Sequence, residues 1–297
     1  MRSMVEGAEP LLDLPPRMAE ALGSLEMTYK KVVLVGCGNM GFAMLTGWLD
    51  AGKLGAGQVD VVEPSDELRA RAATLGVGTH AAPDGLAASP DALVILAVKP
   101  QVIVKVAESY RAFAQAGATF VSIAAGTPVS ALAGSLGGKA AIIRCMPNTP
   151  AAIGKGMMVL YANAHVSADA FAGVRALLAA SGMVETIDDE DLMHAVTAVS
   201  GSGPAYIFHF IECLAAAGAK AGLPAETATK LAMQTAYGAA SLAAASDDPP
   251  SRLREQVTSP NGTTAAALEV LMGDGRLEKL VDEAVEAAKQ RSEELGR

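Results

Sequence analysis

From Lys31 to Ile187 the chain alternates short apolar runs with helical stretches, and after Asp188 the apolar runs stop. The runs Val32–Val35, Val59–Val62, Ala92–Val98, Thr119–Ile123 and Ala141–Arg144 read as strands. Helices are expected between them: one ending near Trp48, then Asp66–Leu75, Ile103–Gln115 and Val129–Leu136. Two more strands, Met157–Tyr161 and Val184–Ile187, flank a helix over Ala168–Ala180. Strands that are apolar throughout, alternating with helices, belong to a parallel sheet covered on both faces. Residues 189–297 read as helices alone, interrupted at Ser200–Pro204, Gly222–Pro224, Ser246–Ser251 and Ser259–Gly262. A change from a sheet-centred core to a helical one marks a domain boundary, and 297 residues suffice for two cores.

Gly36, Gly38 and Gly41 spell GxGxxG directly after the first strand and directly before a helix. In that setting the first glycine permits the sharp turn and the second lets the backbone approach a pyrophosphate. The third lets helix and strand pack closely. The expected fold class is therefore α/β: a Rossmann-type parallel-sheet domain over 28–188, then an all-α C-terminal domain over 189–297. Residues 1–27, where prolines and acids precede any period, read as a loose, poorly ordered extension.

The cofactor contacts expected from this frame are Gly36, Gly38, Asn39, Met40 and Gly41 in the turn and the strand tips beyond it. Glu63 closes the second strand, where an acid takes the ribose hydroxyls of NAD and repels the 2′-phosphate of NADP; the alternative is a solvated strand-end acid. Arg69 and Arg71 lie nearby and can serve a phosphate, so NADH and NADPH both stay open. Ala97, Val98, Lys99 and Pro100 end the fourth strand, and Ala125 and Gly126 follow the fifth. Both tips should face the ligand crevice, because ligands bind at the carboxyl ends of parallel strands. Asn148, in the rigid turn from Arg144 to Pro150, can hydrogen-bond a carboxamide. Gln256 is either a further cofactor contact or a solvated helix residue.

Thr258, Ser259, Pro260, Asn261, Gly262, Thr263 and Thr264 form a hydroxyl-rich bend between two alanine-rich helical stretches. The helix starting at Thr263 has unpaired backbone N–H groups and the positive end of the peptide dipole in its first turn. A carboxylate can dock there without Arg or Lys. Ser259, Gly262, Thr263 and Thr264 are the candidate substrate contacts, with Thr264 the catalytic candidate; the plain alternative is an ordinary N-cap.

Composition narrows the function classes. The net charge is −9 and no basic cluster occurs, which argues against a nucleic-acid partner. Three cysteines and four histidines are scattered without metal-ligand spacing, so no metal site is expected. No run has the length and Leu/Ile/Phe richness of a membrane span, and the N-terminus lacks a signal peptide's apolar centre, so a cytoplasmic protein is expected. Hydrophobic residues make up 51% but aromatics only 4%. With Ala215–Gly218, Ala239, Ala240 and Ala243–Ala245 so small, the late helices should pack closely, within the chain or across a subunit interface.

The motifs together resemble the pyrroline-5-carboxylate reductase family. They are VGCGNMG at 35–41, LAVKPQ at 96–101, SIAAGT at 122–127, RCMPNTP at 144–150, AVSGSGPAY at 198–206 and LREQVTSPNGTTAAALEVL at 253–271. Asn261 stands where the family usually has glycine. The resemblance implies NAD(P)H-dependent reduction of (S)-1-pyrroline-5-carboxylate to L-proline. It further implies a helical dimerisation domain, a homodimer open to stacking into a higher oligomer, and active sites shared between subunits, with the 258–264 bend supplied by the partner. Two rival readings are a relative with another substrate, either a different cyclic imino acid or a β-hydroxy acid with Lys220 or Lys230 as acid/base, and a nucleotide sensor without chemistry. A sensor would have no use for the anion bend.

Overall fold

A computed structural model describes residues 29–296. The expected extension 1–27 lies outside the described residues. Eight strands form one sheet: β1 (Lys31–Val35), β2 (Val59–Val62), β3 (Gly78–His80), β4 (Ala92–Leu96), β5 (Thr119–Ser122), β6 (Ala141–Met146), β7 (Gly156–Ala162) and β8 (Gly182–Thr186). Their spatial order is β3-β2-β1-β4-β5-β6-β7-β8. All neighbours are parallel except β6 and β7, which run antiparallel. The link between those two is a short 3-10 turn, Thr149–Ile153, with no crossover helix to carry the chain back. β3 carries no apolar run and is half-buried throughout, and no strand was expected there.

The helices on the sheet are α1 (Asn39–Asp50), α2 (Asp66–Ala73), α3 (Pro100–Glu108), α4 (Arg111–Ala116), α5 (Val129–Leu136) and α6 (Ala168–Leu178). The single helix expected over Ile103–Gln115 is two, parted at Ser109–Tyr110, which lets Tyr110 and Phe113 both turn inward with ring centroids 5.8 Å apart. Alternation along β1 divides the core. Val32 and Leu34 pack with Met44, Leu45 and Trp48 of α1 on one face. Val33 and Val35 pack with Ile103 of α3 and Leu132 of α5 on the other.

One buried acid holds the sheet edge. Asp60 on β2 meets Lys31 Nζ at 2.8 Å and His80 Nε2 at 3.1 Å. Burial opposes its charge, but the Lys31 and His80 contacts outweigh burial and hold the carboxyl below its ordinary 3.8. A depressed folded-state value gives stability that is present above the ordinary value and lost as pH falls through the folded one. Asp60→Asn should therefore lower stability by about 1 to 2 kcal/mol at neutral pH and flatten the acid limb of the urea midpoint below about pH 4.

Beyond β8 the chain is helical: α7 (Met193–Val196), a π-turn over Thr197–Gly201, α8 (Gly203–Lys220), α9 (Ala225–Ala245), α10 (Pro250–Gln256), α11 (Thr263–Met272) and α12 (Arg276–Leu295). The break before α12 falls at Asp274 and Gly275, both left-handed. These helices have almost no core of their own. α8 is eighteen residues long and buries none of them, and α9 buries only Ala228 and Ala232. Phe208 is 60% exposed and Tyr237 56%, with Met233, Leu242, Val270 and Leu280 also bare. An apolar surface of that extent marks a protein contact.

Candidate active site

The cofactor half is built at the carboxyl ends of β1, β4 and β5, which lie side by side where the strand order reverses. Gly36 turns the chain with φ +88°, and a Cβ there would lie 2.8 Å from the Ala97 carbonyl oxygen. A Cβ on Gly41 would lie 2.5 Å from the Gly36 carbonyl oxygen, so α1 can lie this close to β1 only because both are glycine. Gly38 differs: an added Cβ meets nothing within 4 Å. Its outer face is open, and α1 starts beyond it at Asn39, Met40 and Gly41 with no side-chain cap. A narrow glycine turn over an uncapped helix start fits the pyrophosphate of a dinucleotide.

Gly38→Ala thus separates folding from binding. Thermal stability should stay within about 0.5 kcal/mol of wild type, because the methyl meets no protein atom. Nucleotide affinity by calorimetry should fall on the order of tenfold or more, because the methyl occupies the ligand's path.

β4 ends at Leu96, and Ala97, Val98 and Lys99 lead into α3 at Pro100, with Lys99 exposed as the N-cap residue. Ala125 and left-handed Gly126 follow β5. Leu295 and Gly296 at the end of α12 pack directly on Gly126, so the end of that helix walls this side of the crevice. A cleft of about 620 Å³ opens there between Gly126, Pro128, Asp191, His194, Lys289 and Glu293. His194 Nδ1 lies 2.9 Å from Ser292 Oγ. No motif in the sequence pointed to this cleft, because its walls come from segments far apart in the chain.

Glu63 is buried at the end of β2. Its Oε2 accepts the Cys37 N–H at 2.8 Å and its Oε1 accepts the Ser65 N–H at 2.9 Å. Arg71 donates to the Cys37 carbonyl at 2.8 Å and lies 4.2 Å from the centroid of the Phe42 ring. Arg69 donates to the carbonyls of Glu63 and Pro64 and pairs with Asp66. Burial pushes the Cys37 thiol up to about 11; Arg71 pulls against it and Glu63 adds to it. The thiol is neutral at the turn.

Asn148 is spent on the protein: Oδ1 accepts the Met157 N–H at 2.8 Å, and Nδ2 donates to the Ser200 carbonyl at 3.2 Å. It ties the β6–β7 turn to the π-turn, and Nδ2 also lies 3.4 Å from Ser200 Oγ. Arg144, 3% exposed, makes a second tie, donating to Glu190 Oε1 at 2.9 Å while the same oxygen accepts the Val129 N–H at 2.8 Å. These two links join the sheet to the segment that leads into the late helices.

The bend has only local hydrogen bonds among the described residues. Thr258 Oγ1 donates to the Arg254 carbonyl at 2.6 Å and the Gly262 N–H donates to the Ser259 carbonyl at 3.0 Å. Gly262's amide, expected to face the substrate, is thus used inside the turn. Its lack of a side chain matters instead, because a Cβ there would collide with Ser259 Oγ. Asn261 is left-handed at φ +59°, a backbone region that asparagine enters more readily than most side chains. α11 starts at Thr263 with no side-chain cap. The amides of Thr263 and Thr264 stand free of helical partners. α11 packs on α12 and the turn before it, whereas Gln256 donates to Asp248 at 2.8 Å. No hydrogen bond joins the bend to the sheet among the described residues. Lys230, one rival acid/base, pairs with Glu226 on an exposed helix face.

Residues 190–295 match the family described as pyrroline-5-carboxylate reductase dimerisation, and 31–126 match NADP oxidoreductase, coenzyme F420-dependent. The pyrroline-5-carboxylate reductase of Pseudomonas aeruginosa is 42% identical over 269 residues, 91% of this chain and 98% of that protein. This chain belongs to the pyrroline-5-carboxylate reductase family. The Escherichia coli reductase is 37% identical over 90% of the chain and 99% of its own length. A solved pyrroline-5-carboxylate reductase from Coxiella burnetii superposes with a TM-score of 0.84 at 33% identity, over 90% of this chain and 99% of that one. The Plasmodium falciparum reductase, solved with NADP bound, superposes at 0.78 with 28% identity, over 92% of this chain and 100% of that one. The match to a reductase dimerisation region falls on the helices that lack a core of their own. No helix among the described residues is long and apolar enough to cross a membrane.

Proposed function

We propose that this protein reduces (S)-1-pyrroline-5-carboxylate to L-proline at the expense of NADH or NADPH, the last step of proline biosynthesis. One geometric observation carries the reading: an uncapped helix start at Thr263 and Thr264, with hydroxyls beside it, in a chain that also builds a glycine cradle for a dinucleotide. A bound reduced nicotinamide supplies the hydride. The protein's own groups place the imine. The N–H groups of Thr263 and Thr264 hold the substrate carboxylate, and the Thr264 hydroxyl hydrogen-bonds the ring nitrogen. Ser259 lines the same bend and Gly262 keeps it open. A cyclic imine is basic enough to be partly protonated near neutral pH and is then already an electrophile, so no histidine or lysine acid is required. Most of the rate gain then comes from alignment, which lowers barriers by roughly 7 to 11 kcal/mol.

The division at 188 and 189 separates a nucleotide domain from a helical dimerisation and substrate domain. The working unit is a homodimer, in which α8 and α9 bury their apolar faces against a second copy and dimers can stack further. Each site takes its dinucleotide cradle from one subunit and its 258–264 bend from the other. Gln256, one turn before the bend, reaches the cofactor of the partner subunit. The enzyme works in the cytoplasm. Oxidation of NADH or NADPH on adding pyrroline-5-carboxylate tests the reading. No oxidation with either nucleotide, in protein that binds them, would refute it.

A further inference from the structure

We propose that the nucleotide site selects NADH over NADPH, and that Glu63 together with Asp66 and Glu67 sets the choice. The inference deepens the reductase reading and rests on it for the reaction, though not for nucleotide binding. A dinucleotide laid along the Gly36–Gly41 turn places its adenosine ribose at the end of β2. The side chain waiting there is Glu63, 7% exposed and fixed by two backbone amides, Cys37 N–H at 2.8 Å and Ser65 N–H at 2.9 Å. An acid held in this way cannot swing aside as a surface carboxylate can. Each carboxylate oxygen keeps a lone pair, enough to accept from a ribose hydroxyl.

A 2′-phosphate at the same place needs donors and positive charge; both nearby guanidinium groups already carry contacts, and the Arg71 donor that lacks a partner, Nε, is buried out of reach. Arg69 is bound to the carbonyls of Glu63 and Pro64 and to the Asp66 carboxylate. Arg71 is bound to the Cys37 carbonyl and stacked on Phe42. The start of α2 is a poor anion seat. Ser65 Oγ accepts the Leu68 N–H, the Ser65 N–H is taken by Glu63, and Asp66 and Glu67 fill the first turn with negative charge. A phosphate there meets the Glu63 carboxylate, with the acids of the next helix's first turn adding negative charge around it, whereas two hydroxyls meet an acceptor.

The test is calorimetric titration of the full chain with NADH and with NADPH, without substrate. NADH should bind about tenfold more tightly, the scale of one or two unrelieved like-charge contacts near the surface. Equal affinities, or tighter NADPH, would overturn the inference. The double variant Asp66→Ser, Glu67→Ala releases Arg69, and the ratio should move severalfold toward NADPH. A ratio unmoved by it would remove these acids from the choice. Steady-state kcat/KM with each nucleotide should follow the binding ratio. A binding preference for NADH with no turnover of pyrroline-5-carboxylate would uphold this inference and defeat the reductase reading instead.

Discussion

Turnover of pyrroline-5-carboxylate should fall on the order of a hundredfold when Thr264 is replaced by valine, the scale of losing one aligned donor in a site. Valine keeps the volume and branching of threonine, so the start of α11 should keep its shape. The Thr263 and Thr264 amides belong to the backbone and survive the change, so substrate KM should move less than kcat. Nucleotide affinity should be unaltered, because the dinucleotide cradle at Gly36–Gly41 is built from other elements. Wild-type turnover would remove the hydroxyl from the mechanism. A loss expressed wholly in KM would make Thr264 a carboxylate ligand and nothing more.

Arg144→Met should cost about 2 to 3 kcal/mol of stability, read as a drop in the denaturant midpoint. Arg144 is 3% exposed and its partner Glu190 22% by side chain, so the pair is buried on one side and partly wet on the other. Removing the guanidinium strands the Glu190 carboxylate with only the Val129 N–H for company. The figure sits below that of a fully buried pair because Glu190 can still reach water. The arginine also joins β6 to the segment entering the late helices, so activity should fall more than the loss of folded protein explains. Unchanged stability would mean that water replaces the guanidinium without cost.

The sheet was legible because its central strands are buried on both faces and must be apolar throughout. Val59–Val62 lies within the expected bounds for that reason. β3 escaped because three half-buried residues at an edge, Gly78, Thr79 and His80, carry no apolar period. The antiparallel turn into β7 could not be read either, since strand direction depends on whether a crossover intervenes and not on the strand's own residues. In the site, the glycine turn was plain from spacing, and the start of α11 from Pro260, Gly262 and the threonines. What stayed hidden was how polar groups choose partners. Glu63 stood out as a strand-end acid, but its two amide contacts come from Cys37 and Ser65, which only the folded chain brings to it. The Asn148 amide likewise meets Met157 and Ser200, the second of them 52 residues further along the chain.

The most direct test of a shared active site is complementation between two crippled subunits. Gly38→Ala damages the cradle and Thr264→Val the bend, so with nucleotide held well below saturation each homodimer should work at no more than about a tenth of the wild-type rate. In a mixed dimer one site carries both defects and the other carries neither, so random mixing by co-refolding should restore about a quarter of wild-type turnover. Activity no greater than the sum of the two parents would show that cradle and bend act within a single chain, and would contradict the account.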